Sequence, residues 1–296
     1  MWARKFLPTG LAVFVALAAA PVPLASPAAA GRDGPCGPPG PRARSMARLP
    51  SGTGEVSGFA ASRRRPGVAW MIRDSGHPAS LYAVRLRGRD RRPWVRQIPV
   101  RGARNHDWED VAYSVGPDGR GRLWIVESTQ SGSAPFIYEV REPDPDGPAH
   151  VRLTRRYRYR YPGGNENTEA SFFYDGRLVL VTKTSPARLY RFDRRLDPKK
   201  VNRPHYVGKL SGARRVSIVR PSTDKGVLVA SDHETVTIYE GRGPKTRLSH
   251  FTDRAPARRK TVARGDNIEA GDFFPFGSCA VILVSESRNI YRMSAG

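Results

Sequence analysis

Short apolar runs of four to eight residues recur along the chain from about residue 48, bounded by Gly, Pro, Asp and Ser, and predict many short β-strands. No segment keeps a 3.6-residue apolar period long enough to predict a helix. The runs also repeat. Tyr82, Tyr138, Tyr190, Tyr239 and Tyr291 each sit in a small strand (LYAV, IYEV, LYRF, TIYE, IYRM), at spacings of 56, 52, 49 and 52 residues. Ahead of each Tyr comes an apolar strand ending in a polar cluster: AWMIRDS, LWIVES, LVLVTKTS, VLVASD and VILVSES. Ahead of each of those comes another strand: VSGFAAS, WEDVAYSV, TEASFFY, VSIVRP and IEAGDFF. Five copies of a unit of about 50 residues predict a repeat architecture.

A unit of three or four antiparallel strands cannot bury both its faces alone. Radial stacking of five such sheets solves this and leaves only short edges, so the expected fold is all-β, a five-bladed β-propeller. A β-sandwich gives no reason for the fivefold period. The first strand of each unit lies innermost and the fourth outermost. VRLTRRYRYRY (151–161) fits an outer strand, with Tyr157, Tyr159 and Tyr161 on one face and Arg156, Arg158 and Arg160 on the other. Five residues follow Tyr291, too few for a fourth strand in unit five. An N-terminal strand around Met46 to Leu49 is expected to supply it and close the ring.

Composition adds a compartment. Arg4 and Lys5, the apolar run Leu11 to Ala20 and the small residues Ala28-Ala29-Ala30 make residues 1–30 an expected signal peptide. The run is too short to cross ~30 Å of hydrocarbon, so no membrane span is expected. Residues 31–47, rich in Gly, Pro and Arg, read as a tether, and 48–296 as one propeller. Cys36 lacks the small apolar residues that precede a lipidated cysteine, which favours a free secreted, extracellular protein. Outside the cytoplasm Cys36 and Cys279 can pair and join the termini; two unrelated thiols are the alternative. A monomer is expected.

Aligning the innermost strands places Ser57, Glu109, Glu169, Ser217 and Glu269 in one equivalent position, facing the central channel. Three carboxylates in a narrow channel are costly unless protonated or neutralised by a cation. All-oxygen ligation suits Ca²⁺; the alternative is that each Glu hydrogen-bonds the backbone of a neighbouring blade. This ring resembles the calcium site of the soluble calcium-activated nucleotidases, the apyrase propellers. The resemblance implies five blades, each offering one residue to a calcium ion in the tunnel, here the residues in VSGF, WEDV, TEAS, VSIV and IEAG. The chain is also similar to secreted actinobacterial propeller proteins with SGLAxS, NDSG, NxDWED, GDIGDN and DAEAL patterns. It carries SGFAAS (57–62), RDSG (73–76), NHDWED (105–110) and NTEAS (167–171), with Arg73 in place of Asn and VESTQS (126–131) in place of GDIGDN.

The start of an inner strand and the end of the next lie at the same channel mouth. Asp74, Glu127, Lys183, Asp232 and Glu286 end the second strands there; His106, Asp107 and Asp110 flank Glu109; Arg214 and Arg215 precede Ser217. Acids beside an ion and cations able to hold phosphate oxygens would suit metal-assisted hydrolysis of a phosphoanhydride or phosphoester. Asp74 or Asp107 would then be base or water-positioner, with Lys183 and Arg215 as phosphate clamps. Turn hydrogen bonds and salt bridges are the plainer roles for such residues. Five-bladed propellers also host glycosidases, for which the three glutamates would be acid, base and modulator.

The third class is a non-catalytic module. The chain carries 50 Lys and Arg against 27 Asp and Glu, a formal charge of +23. That suits docking on an anionic small molecule or a cell-surface polyanion such as a wall polymer. No stacking-aromatic array or specific nucleic-acid motif accompanies the charge, and simple solubility also accounts for it. The sequence has no Gly-rich phosphate loop, GxSxG elbow or HExxH.

Overall fold

The computed structural model describes residues 36–86, 92–128, 134–164, 166–192 and 195–295. The expected signal peptide lies outside them. β1 (Pro39–Arg48) comes first, then blade one, β2 (Val56–Ala61), β3 (Val68–Arg73), β4 (Ser80–Arg85) and β5 (Trp94–Arg101). Blade two follows with β6 (Trp108–Val115), β7 (Gly121–Glu127) and β8 (Phe136–Arg141), then the two-residue β9 (Val151–Arg152), and β10 (Arg155–Tyr159). Blade three holds β11 (Thr168–Tyr174), β12 (Arg177–Thr182) and β13 (Ala187–Arg191), then β14 (Val201–Asn202) and β15 (His205–Leu210). Blade four is β16 (Ile218–Pro221), β17 (Val227–Asp232), β18 (Thr235–Glu240) and β19 (Arg258–Thr261). Blade five is β20 (Ile268–Phe273), β21 (Val281–Ser285) and β22 (Asn289–Ala295).

The inner strands β2, β6, β11, β16 and β20 contact one another in that order and back to β2, which closes a five-bladed β-propeller. Five clusters of buried apolar side chains lie between neighbouring blades, one at each of the five interfaces. Second strands are therefore packed on both faces and read as unbroken apolar runs: every residue of β17 but its last is buried. The outer β10 alternates, with Tyr157 and Tyr159 buried and Arg156 and Arg158 exposed. Asp175 and Gly176, at φ 50° and 70°, make the tight turn between β11 and β12 that favours Asp-Gly.

Blade five takes its outer strand from the N-terminus: β1 pairs antiparallel with β22. The strand begins at Pro39, earlier than expected, so residues 39–47 are strand and not tether. Composition hid it because an edge strand pairs along one side only and tolerates Pro39 and Pro41. Cys36 and Cys279 form a disulfide with Cα atoms 5.4 Å apart, at the interface of blades four and five. The stretch 151–161 is only partly the outer strand of blade two. Val151–Arg152 instead pairs parallel with β5 of blade one, and β14 pairs parallel with β10 of blade two. Each of these two-residue strands hooks one blade's connection onto the preceding blade. Among the described residues, no helix is long and apolar enough to cross a membrane.

Candidate metal centre at the channel mouth

Four of the five aligned positions are β-bulges. The ladder register slips between Val56 and Gly58, Trp108 and Asp110, Thr168 and Ala170, and Ile268 and Ala270. The skipped residues are Ser57, Glu109, Glu169 and Glu269. A bulge leaves one residue out of the ladder and re-aims its side chain, which is how four strands otherwise committed to packing each free one polar residue. In blade four, Ser217 lies one residue before β16 and its N–H bonds Ser231 O at 2.8 Å.

The two serines spend their hydroxyl protons on neighbouring blades. Ser57 Oγ donates to Glu109 O at 2.7 Å and Ser217 Oγ to Ile268 O at 2.6 Å. Glu169 Oε1 is met by Lys183 Nζ at 3.0 Å, and Glu269 Oε1 lies 2.8 Å from His233 Nδ1. Lys183 is thus already paired with a carboxylate; burial lowers its pKa, but Glu169 together with Glu269 and Glu109 keeps it above the ordinary value. His233, directly after β17, therefore also belongs to this mouth.

Glu109 has different company. One ligand oxygen each from Asp74, Asp107 and Glu109 lie within 4.8 Å of one another, with Asp107 and Glu109 buried and Asp74 partly exposed. The backbone sets this up: Asn105 Nδ2 donates to Asp74 O at 2.8 Å, while Asn105 Oδ1 accepts from Trp108 N–H at 3.1 Å. Asn105 thereby pins the end of β3 against the start of β6. Burial, and then Glu169, Asp107 and Asp74, push the Glu109 carboxyl far above the carboxylate range. Burial raises Glu169 as well, less so because of Lys183. Glu269 is pushed up to about 7, again chiefly by burial. Carboxylates at such spacing are stable as protonated groups or around a cation. The three acids, hard oxygen donors on irregular backbone, fit Ca²⁺.

Of the two expected cationic clamps, Lys183 is paired with Glu169 and Arg215 stays open to solvent. Arg73 Nε is bound to Gly54 O at 2.7 Å. Arg215 is exposed in left-handed backbone (φ 46°), with its N–H on Thr184 O at 3.1 Å. Glu127 is structural, accepting Phe136 N–H at 3.1 Å. Of the divergent loop at 126–131, residues 129–131 lie outside the described residues.

Below the acids the channel is closed by a residue that the repeat does not reveal. Arg220, on β16, donates to Phe59 O (3.1 Å) in blade one, to both oxygens of Asp110 (2.6 and 2.9 Å) in blade two and to Ser171 O (2.7 Å) in blade three. Its Nε is 4.0 Å from Asp272 in blade five. Beyond this plug, at the opposite mouth, opens a cavity of about 340 Å³ with Arg220 and Asp272 in its wall. The signal for Arg220 is one Arg in an otherwise apolar inner strand, VSIVRP. No protein-family model matches the chain, and no curated protein matches it.

Proposed function

We propose that the protein is an exported calcium-binding propeller that takes up a phosphorylated or otherwise anionic ligand at its acidic mouth, through the bound ion. The ion would lie on Asp74, Asp107 and Glu109, with the remaining residues of the five-membered ring alongside. The observation that carries this reading is the convergence of those three carboxylates, two of them buried. The disulfide is compatible with export. Binding is favoured over hydrolysis because Lys183, one of the two expected clamps, is already engaged by Glu169, leaving the ion and the exposed Arg215 to attract an anion.

A hydrolytic role has one observation in its favour. Asp74 is partly exposed beside two buried acids, where solvent water can reach it. In that reading calcium supplies polarisation of a phosphoryl oxygen, and Asp74 positions the attacking water.

Calcium titration by calorimetry, followed by phosphate release from nucleoside di- and triphosphates and phytate with calcium or EDTA, tests both. Calcium binding without turnover leaves the binding module; calcium-dependent turnover lost in Glu169→Gln establishes the enzyme. No calcium binding by metal-free protein overturns both.

A further inference from the structure

Residues 241–257 link β18 to β19 at the end of the propeller opposite the acidic mouth. Connections this long are uncommon and usually either functional or disordered; this one carries a 3-10 turn at Leu248–His250 and is firmly held. Leu248 and Phe251 are buried in the core between blades three and four. Thr246 Oγ1 accepts Arg242 N–H at 2.7 Å, and Thr246 O accepts the Tyr174 hydroxyl at 2.7 Å. Lys225 Nζ donates to Pro244 O at 3.1 Å.

On this rigid base stand four exposed cations, Arg242, Lys245, Arg247 and Arg254, all lining one concavity of about 440 Å³ together with Ser249 and His250. Asp253 is the one acid of the segment and is not part of that lining; its N–H bonds Lys209 O at 2.8 Å. Among the described residues none of the four cations forms an ion pair, whereas Arg85, Arg122, Arg188 and Arg259 each find a carboxylate. Burial, and then Arg254 and Arg242, hold His250 below its ordinary pKa, as expected in a strongly positive pocket. Like charges held together without counter-charges repel one another, and that repulsion is relieved by a bound polyanion.

We propose that this concavity binds contiguous phosphate groups, an oligophosphate gripped by Arg242, Lys245, Arg247 and Arg254. Arginine suits the task because its planar fork makes paired hydrogen bonds to phosphate oxygens. The site is independent of the calcium mouth and of what that mouth binds.

Calorimetry at low salt with tripolyphosphate, ATP and orthophosphate tests it. Tripolyphosphate is expected to bind at least tenfold more tightly than orthophosphate, with affinity falling steeply as salt rises. The double variant Arg242→Gln/Arg247→Gln is expected to lose tenfold or more, and Asp74→Asn nothing. The control Arg258→Gln/Lys260→Gln, on the exposed β19, is expected to lose less than twofold. Equal binding of ATP means that the phosphate chain alone is read; retention of tripolyphosphate without ATP restricts the ligand to the inorganic chain. Unchanged affinity in the first double variant, or an equal loss in the control, overturns the proposal.

Discussion

Arg220 holds both carboxylate oxygens of Asp110, at 2.6 and 2.9 Å, with each side chain no more than 6 % exposed. The pair crosses from blade four to blade two, and the same guanidinium reaches the backbone of blades one and three. Removing one partner strands a buried charge, at a cost of about 3–5 kcal/mol. Arg220→Met is therefore expected to lower the urea midpoint sharply. Arg220→Met with Asp110→Leu should cost less than the two single changes summed. Additive losses would show that the pair is not a unit.

Gly58 comes close to blade two. A Cβ there would sit 2.6 Å from Val111 N and 2.9 Å from Asp110 Cα, both backbone atoms. Gly58→Ala must push two inner strands apart and is expected to cost about 1–3 kcal/mol, read from chemical denaturation. A neutral result would mean that the blades separate easily at the axis.

The acidic mouth sets a pH dependence. Glu269 titrates near 7 in the fold, raised chiefly by burial, against about 4.3 in an unfolded chain. Between those values the fold keeps a proton that the unfolded chain has lost, so stability falls as pH rises and levels off above about 7. In EDTA, Tm is expected to decline from about pH 5 to 7.5, and Glu269→Gln to flatten the slope. A rise across that window would refute the assignment.

Calcium should counter that decline, since it binds the ionised carboxylates. At a hundredfold excess over Kd the stabilisation is about 2.7 kcal/mol. Asp74→Asn and Asp107→Asn are expected to abolish the calcium-induced rise in Tm. Ser57→Ala and Ser217→Ala should keep most of it, because both hydroxyls serve backbone carbonyls. The reverse order would move the ion to the centre of the five-residue ring.

The disulfide spans 243 residues. In the chain-entropy picture a loop of that size is worth about 5 kcal/mol. Cys36→Ser should lower Tm by a corresponding amount and speed hydrogen exchange in β1 and β22. Loss of Tm without faster exchange there would place the effect elsewhere.

Much of the molecule was legible because it recurs. Each blade repeats the same strand order, and four of the five inner strands release one polar residue, so Glu109, Glu169 and Glu269 stand out on alignment. What occurs once was not legible. Arg220 has no counterpart in the other blades, and its partners are mostly carbonyl oxygens, which carry no residue signature. Asp74 and Asp107 are visible as strand-end acids, but their closeness to Glu109 depends on Asn105 holding two strands together, a contact set by the fold. The early start of β1 was obscured because Arg42, Arg44 and Arg48 carry no apolar period.

The pairing of β1 with β22 has a consequence for biosynthesis. β1 is synthesised before blades one to four and bonds to β22 of blade five, so it must wait, unpaired, while those blades emerge. An idle strand edge invites pairing with other chains. Pro39 and Pro41 remove two donors from that edge, and Arg42, Arg44 and Arg48 make it repel its own copies. The composition that resembles a linker thus doubles as a safeguard for a strand held in reserve. Neutralising those arginines should leave the finished propeller intact while lowering the yield of chains that reach it.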